Sequence, residues 1–228
     1  MGEQADVWLI VPVYNEAKVV ADVVRRALAV FGNVVCVDDG SRDASPVEIA
    51  RTSARLVRHP LNLGQGAALQ TGLEYARAQP GAQYFVTFDS DGQHRVEDAL
   101  AMVARLRAGE ADVVLGTRFA RAGDSGEVPL SKRVILRLAA LVSPRSRRLG
   151  LTDSHNGLRA FNRTVATQLT LTSSGMAHAG EFIALVDRPD WRVVEQPVTI
   201  HYTAYSKAKG QSLLNGVNVV FDQAVRRR

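Results

Sequence analysis

The sequence predicts an α/β fold with a mostly parallel central sheet flanked by helices. Short runs of β-branched and apolar residues alternate, through the first half, with longer stretches of helical period, the pattern of strands joined by crossover helices. Polar clusters follow the strands directly, where open parallel sheets bind their ligands. The chain has 228 residues, 46% of them hydrophobic, enough for one substantial core and better suited to one domain than to two.

The elements follow in order. Residues Val7–Val13 form an unbroken apolar run and read as the first strand. Val20, Val23, Val24, Ala27, Leu28 and Phe31 then recur at helical spacing, giving a helix with one buried face. A second strand at 34–37 ends on Asp38-Asp39-Gly40-Ser41, and a third at Arg55–Arg58 leads into Asn62-Leu63-Gly64-Gln65-Gly66-Ala67 and a helix through Tyr75. Residues 84–88 form a strand that stops at Asp89. A helix over Val96–Arg107 and a strand at 112–115 follow, ending on Gly116-Thr117-Arg118. Beyond this point the chain is basic and less periodic, with no internal repeat and no low-complexity tract.

The formal charge is +5, which favours anionic partners such as phosphorylated substrates, acidic lipid or nucleic acid without choosing among them. The lone cysteine, Cys36, lies in the apolar run Val34-Val35-Cys36-Val37 and reads as a small buried hydrophobe. The start, Met-Gly-Glu-Gln-Ala-Asp, has neither the basic opening nor the apolar core of a secretory signal. No stretch approaches the roughly 20 apolar residues that span a bilayer. The expectation is a cytoplasmic protein, free or held at the cytoplasmic face of a membrane.

Asp89-Ser90-Asp91-Gly92-Gln93-His94 is the segment with the clearest chemistry. Two carboxylates one residue apart can share a hard cation such as Mg2+ or Mn2+, although Asp, Ser and Gly are also ordinary turn formers and the triplet alone reads first as a surface turn. Its weight comes from company. Pro12-Val13-Tyr14-Asn15-Glu16, Asp38-Asp39-Gly40-Ser41 and Asn62-Leu63-Gly64-Gln65-Gly66-Ala67 each follow a strand in the same way.

Together these four clusters resemble the family 2 glycosyltransferases, which have the nucleotide-diphospho-sugar transferase fold called GT-A. The resemblance implies donor-binding roles for Pro12, Tyr14, Asn15, Glu16, Asp39, Gly66, Asp89 and Ser90, and metal or diphosphate roles for Asp89, Asp91 and Gln93. Within the family, Asp89 to His94, Gly116-Thr117-Arg118 and Asp153-Ser154-His155-Asn156-Gly157-Leu158-Arg159-Ala160-Phe161 look most like the dolichyl-phosphate mannosyltransferase and polyprenyl-phosphate glycosyltransferase branch. That branch moves a sugar from a nucleoside diphosphate to a lipid phosphate, and its arginine matching Arg118 is thought to meet the acceptor phosphate. A planar guanidinium suits phosphate oxygens.

In segment 130–148, Val134, Leu138, Leu141 and Val142 share one helical face, and Lys132, Arg133 and Arg137 another. The segment either rests on anionic lipid or packs on the core with a solvated charged face. Arg133 is a second candidate for the acceptor phosphate. Residues 198–202 read as a strand, followed by Tyr205-Ser206-Lys207-Ala208-Lys209-Gly210-Gln211-Ser212, which resembles the basic donor-closing loop of the branch and offers Lys207 and Lys209 to the diphosphate. His201 stands there as a metal ligand, a phosphate donor or a polar strand end. His59, His155 and His178 have no companion at metal-ligand spacing and read as ordinary surface or core residues. Asp153 either pairs with Arg159 or acts on the acceptor.

The reaction implied is an inverting, metal-dependent transfer from a UDP- or GDP-sugar to a polyprenyl phosphate, with Asp91, Arg118 and Asp153 as the catalytic set. Residues 1–118 form the nucleotide-sugar half and 119–228 the acceptor side of one catalytic domain. A membrane surface or a separate membrane protein is the further partner expected, and nucleic acid is not. The alternatives are transfer to a glycan, protein or small-molecule hydroxyl, and a non-catalytic nucleotide-sugar-binding subunit of a membrane complex.

Overall fold

A computed structural model of the chain describes residues 4–118, 144–153, 156–175 and 177–201. The strands are β1 (Val7–Val13), β2 (Val34–Asp38), β3 (Arg55–Arg58), β4 (Tyr84–Thr87), β5 (Val113–Thr117), β6 (Arg159–Asn162) and β7 (Val193–Pro197). The described helices are α1 (Val20–Phe31), α2 (Ser45–Ala50), α3 (Gln65–Arg77), α4 (Val96–Arg107), α5 (Pro144–Arg148), α6 (Arg163–Gln168) and α7 (His178–Val186).

The strands form a seven-stranded sheet in the order β3-β2-β1-β4-β6-β5-β7. Every pairing is parallel except those of β6, which runs antiparallel between β4 and β5. Strand β1 is buried along its whole length because it is covered on both faces, as its unbroken apolar sequence requires. Its pleat divides the core: Val7, Leu9, Val11 and Val13 pack with α1 and α4, while Trp8 and Ile10 pack with α3 and α7. Helix α1 buries Val20, Val23, Val24, Ala27 and Phe31 on one face, the stripe its spacing predicts.

The order runs outward in opposite directions from β1 and β4, so the crevice beyond their carboxyl ends is the switch point where such sheets bind ligands. Strand β6 matters to the site for its direction. Arg159 lies opposite both Thr87 of β4 and Leu115 of β5, so the chain just before β6 emerges at the same edge as the ends of those parallel strands.

The strand read at 198–202 is displaced toward the N-terminus, to Val193–Pro197. Residues 198–201 lie in no strand; the ladder is made just before them by β7, which pairs with β5 as far as Thr117 and Pro197. Val198 and Ile200 are buried, so the apolar alternation was real, but only the Val198 N–H reaches the end of β5, at the carbonyl of Thr117. The Gly116-Thr117 pair belongs to β5 rather than following it. Among the described residues, no helix is long and apolar enough to cross a membrane. Of segment 130–148 only α5 is described, and its Arg148 ion-pairs with Asp187. Arg133, Lys207, Lys209 and the loop at 205–212 lie outside the described residues.

Candidate functional site

Three loops meet at the carboxyl ends of β1, β2 and β3. Asn15, at φ 55°, turns the chain out of β1. Its backbone N–H donates to Ser41 Oγ at 2.9 Å, and its side-chain oxygen accepts from the Arg42 N–H at 2.9 Å. The Glu16 N–H donates to Ser45 Oγ at 2.8 Å, so the first two strand-end clusters are stitched into one wall. Beside it lies an open cleft of about 590 Å3 lined by Tyr14, Ser41, Arg42, Arg58, His59 and Leu61, among others. The size suits a nucleoside, and half-exposed Tyr14 and Leu61 offer apolar faces at the rim.

Asp39 stands behind this cleft. Its Oδ1 accepts from the Leu63 N–H at 2.9 Å and meets His59 Nδ1 at 2.7 Å, while Oδ2 accepts from the Gly64 N–H at 2.8 Å. The carboxylate is buried and braces the loop after β3. Pro12 is likewise buried inside β1, opposite Val37. Gly66, in the first turn of α3, gives its N–H to the carbonyl of Ser174 at 2.7 Å. Asp39 and Gly66 therefore shape the wall from behind, because their polar groups are already engaged within the protein, and Pro12 does so as a buried strand residue. Among the described residues, Tyr14 alone of the expected donor contacts lines the cleft itself.

Asp89 and Asp91 follow β4. Asp89 Oδ2 accepts from His94 Nε2 at 3.0 Å and Oδ1 from Gln65 Nε2 at 3.1 Å. Burial works to raise the Asp89 carboxyl, but the His94 hydrogen bond and the nearby Arg159 guanidinium outweigh it and hold the group below its ordinary value. Asp91 is pushed the other way, up to about 6, first by burial and then by the charges of Asp89 and, more weakly, Glu16. Asp91 thus sits where a second negative charge beside Asp89 is disfavoured. Gln93 closes the turn: its backbone N–H donates to Asp91 Oδ1 at 3.0 Å, and its carbonyl accepts from the His201 N–H at 2.9 Å. Ser90 is buried within that turn.

Across β6, Arg118 at the end of β5 meets Asp153 at two points. Its Nε lies 2.6 Å from Oδ2 and its Nη2 lies 2.7 Å from Oδ1. The Asp153 side chain is 1% exposed. Glu195 braces the loop by accepting from the Thr152 N–H at 2.7 Å and the Asp153 N–H at 3.0 Å. Arg159, which the sequence offered as Asp153's partner, instead donates from Nε to the Asn156 carbonyl at 3.1 Å and stacks 4.6 Å from the Phe182 ring centroid. Burial lowers it to about 10, against the raising pull of Asp89 and Asp153, so it remains a cation at neutral pH.

The model for glycosyl transferase family 2 matches residues 8–170. The chain belongs to glycosyl transferase family 2. The UDP-N-acetylglucosamine–dolichyl-phosphate N-acetylglucosaminyltransferase of Methanococcus voltae is 28% identical to it over 235 residues, covering 94% of this chain and 93% of that one. The polyprenol monophosphomannose synthase of Mycolicibacterium smegmatis is 27% identical over 233 residues, covering 96% and 87%. Glucosyl-3-phosphoglycerate synthase of Mycobacterium tuberculosis, solved with Mn2+, UDP-glucose and phosphoglyceric acid, superposes with a TM-score of 0.67 at 19% identity, covering 95% of this chain and 77% of that one. That likeness is one of fold, the GT-A fold.

The residues of this glycosyltransferase fit a divalent cation at Asp89 and Asp91. The donors are hard oxygens, and burial together with the Asp89 charge disfavours ionised Asp91, a cost that a cation would relieve. The four ligands expected from sequence do not form a closed cage. Among the described residues, no three His, Cys, Asp or Glu side chains gather around one point. His201 is exposed and joins the site only through its backbone, because the chain leaves the sheet after β7.

Several residues that build the site did not stand out in the sequence. His94 and Gln65 sit inside quoted motifs, but nothing in their spacing marked them as partners of Asp89. His59, set aside as ordinary, spans Asp39 and Thr71 Oγ1, at 2.7 and 2.9 Å. Arg159 carried one signal, a lone cation in an apolar strand.

Proposed function

We propose that this glycosyltransferase moves a sugar from a nucleoside diphosphate sugar, UDP- or GDP-linked, to a polyprenyl phosphate with inversion at the anomeric carbon. The observation that carries the acceptor is the Arg118–Asp153 pair. A hydroxyl acceptor needs a carboxylate to take its proton, yet the Asp153 carboxylate is buried and has both oxygens on Arg118. A phosphate acceptor is already anionic and needs a fixed cation instead, which is what a guanidinium held in plane supplies. The names of the relatives in Methanococcus voltae and Mycolicibacterium smegmatis point the same way.

In this reading the nucleoside occupies the cleft beside Tyr14, with Asn15, Glu16, Pro12, Asp39, Gly66 and Ser90 shaping its wall. Asp89 and Asp91, with Gln93, would hold Mg2+ or Mn2+, which would supply charge neutralisation for the leaving diphosphate. Arg118 orients an oxygen of the acceptor phosphate. That oxygen forms its bond to the anomeric carbon as the bond to the diphosphate oxygen breaks, and the nucleoside diphosphate leaves with the electron pair. Asp153 is a positioning residue that acts through Arg118. Residues 119–228 serve the acceptor side, with Arg133 a further phosphate contact and Lys207 and Lys209 closing on the diphosphate. The exposed Arg145 and Arg147 of α5 offer a basic surface to an anionic membrane face.

The test is a screen of labelled UDP- and GDP-sugars against polyprenyl phosphate in mixed micelles, with Mn2+ or with chelator. The expected product is a lipid-linked sugar that forms only with metal. Transfer to a soluble sugar hydroxyl with nothing on lipid phosphate would overturn the acceptor assignment, and donor binding without turnover on any acceptor would overturn catalysis.

A further inference from the structure

Asn156, just ahead of β6, is 5% exposed, and its side-chain nitrogen has no hydrogen-bond partner. The orientation of the amide is set by its surroundings, because Oδ1 accepts from the Leu158 N–H at 3.0 Å and leaves the NH2 group unspent. A buried donor without an acceptor lowers folding stability, so it calls for an explanation such as a ligand that completes it.

Its neighbours indicate what that ligand is. Asp153, which fixes Arg118, lies just before it in the chain, and Gly157 follows it. Gly157 approaches Asp89 so closely that a Cβ there would lie 2.2 Å from Oδ2. Thr87 Oγ1 pins this approach by donating to the Gly157 carbonyl at 2.6 Å. Along the chain Asn156 thus stands between the aspartate that fixes Arg118 and the glycine packed on Asp89, at the gap between the donor-side carboxylate and the acceptor-side arginine. A neutral donor in that gap suits a neutral, oxygen-rich group, since a cation would be drawn to Asp89 and an anion to Arg118.

We propose that Asn156 is a specificity-determining residue whose side-chain NH2 donates a hydrogen bond to a hydroxyl oxygen of the sugar being transferred. The proposal rests on the donor half of the function above and is independent of the acceptor. It places sugar recognition on the segment that also positions Arg118, so that one loop reads the sugar and holds the acceptor's cation.

The test compares wild type with Asn156→Ser, whose hydroxyl can still accept from the Leu158 N–H, and with Asn156→Asp, which keeps Oδ1 but loses the donor. Affinities for UDP, GDP, UDP-glucose, UDP-N-acetylglucosamine and GDP-mannose are measured with Mn2+. In Asn156→Ser the preferred nucleotide sugar is expected to bind roughly threefold to tenfold more weakly, the worth of one such bond, while its bare nucleoside diphosphate is unchanged. Asn156→Asp should lose the sugar nucleotide by a larger factor than the bare diphosphate. Unfolded molecules bind neither ligand, so the ratio of the two affinities reads folded protein alone. An unchanged ratio in both variants would overturn the proposal while leaving the donor site standing. Failure of wild type to bind any of the five would overturn the donor site and this inference together.

Discussion

Arg118 and Asp153 grip each other at two points, Nε to Oδ2 at 2.6 Å and Nη2 to Oδ1 at 2.7 Å, with the aspartate sealed from solvent. The sequence left Asp153 either pairing with Arg159 or acting on the acceptor, and the geometry sets a third role, positioning Arg118, against that of a base. A base would lose its function in Asp153→Asn, whereas a positioning residue keeps one acceptor oxygen for Arg118. The expected result is that Asp153→Asn retains measurable transfer and Asp153→Ala loses tenfold or more, by order of magnitude. Nucleoside diphosphate affinity should be unaltered in both. Asp153→Ala should also lose about 3 kcal/mol of stability, because it leaves a largely buried arginine without its partner. Complete inactivity of Asp153→Asn at every pH, with normal melting, would restore the base.

Asp91 carries a second expectation. Its carboxyl is raised to about 6, first by burial and then by Asp89. A carboxyl raised in the folded state binds protons that the unfolded chain has released, so this group lowers stability as pH climbs from the ordinary aspartate range through 6. In the absence of metal, Asp91→Asn should therefore be more stable than wild type at pH 7.5, by on the order of 1–2 kcal/mol after allowing for solvent screening. Adding Mn2+ should raise the melting temperature of wild type and not of the variant. Thermal melts with and without Mn2+ decide it; a variant that melts lower than wild type without metal would show that the carboxylate pair is not repulsive.

The sequence made the first half of the fold legible because β1 and β2 are covered on both faces and read as unbroken apolar runs, although the edge strand β3 is exposed. The quoted clusters lie at the sheet's carboxyl edge, with Pro12-Val13, Asp38 and Gly116-Thr117 still inside their strands. Strand β6 was not legible: Arg159–Asn162 is four residues long, runs against its neighbours and contains a buried arginine, so neither alternation nor hydrophobicity marks it. The Asp153–Arg118 pair was hidden for a related reason. Nothing local says that the chain before β6 must return to the end of β5, 35 residues back. The same return places Gly157 on Asp89, and only the antiparallel insertion explains either contact.

Cys36 offers a probe of the fold that touches no functional group. It is completely buried in β2, and burial pushes its thiol up to about 12. The thiolate is the reactive form, so at pH 8 the native protein should resist iodoacetamide. Labelling should appear only as denaturant exposes the strand, and its rate should follow global unfolding measured by circular dichroism. Rapid labelling in buffer would mean that the β1–β2 core opens locally.

Two glycines that appear equally crowded should fail in different ways. A Cβ on Gly66 would lie 1.9 Å from the Ser173 carbonyl oxygen, which is backbone and cannot turn aside. Gly66→Ala should thus push α3 away from the 173–174 segment and lower stability by roughly 1–3 kcal/mol, the usual cost of overpacking. A Cβ on Gly157 would instead meet the Asp89 carboxylate, 2.2 Å from Oδ2, and a side chain can rotate. Rotation would break the contacts of Asp89 with His94 and Gln65 and spoil its aim at the cation. Gly157→Ala is therefore expected to melt within a few degrees of wild type yet bind Mn2+ at least tenfold more weakly, by order of magnitude. Mn2+ titrations followed by electron paramagnetic resonance, run beside thermal melts of both variants, would separate the two outcomes. Intact metal affinity in Gly157→Ala would mean that the close approach to Asp89 is packing alone, with no part in holding the metal ligand in place.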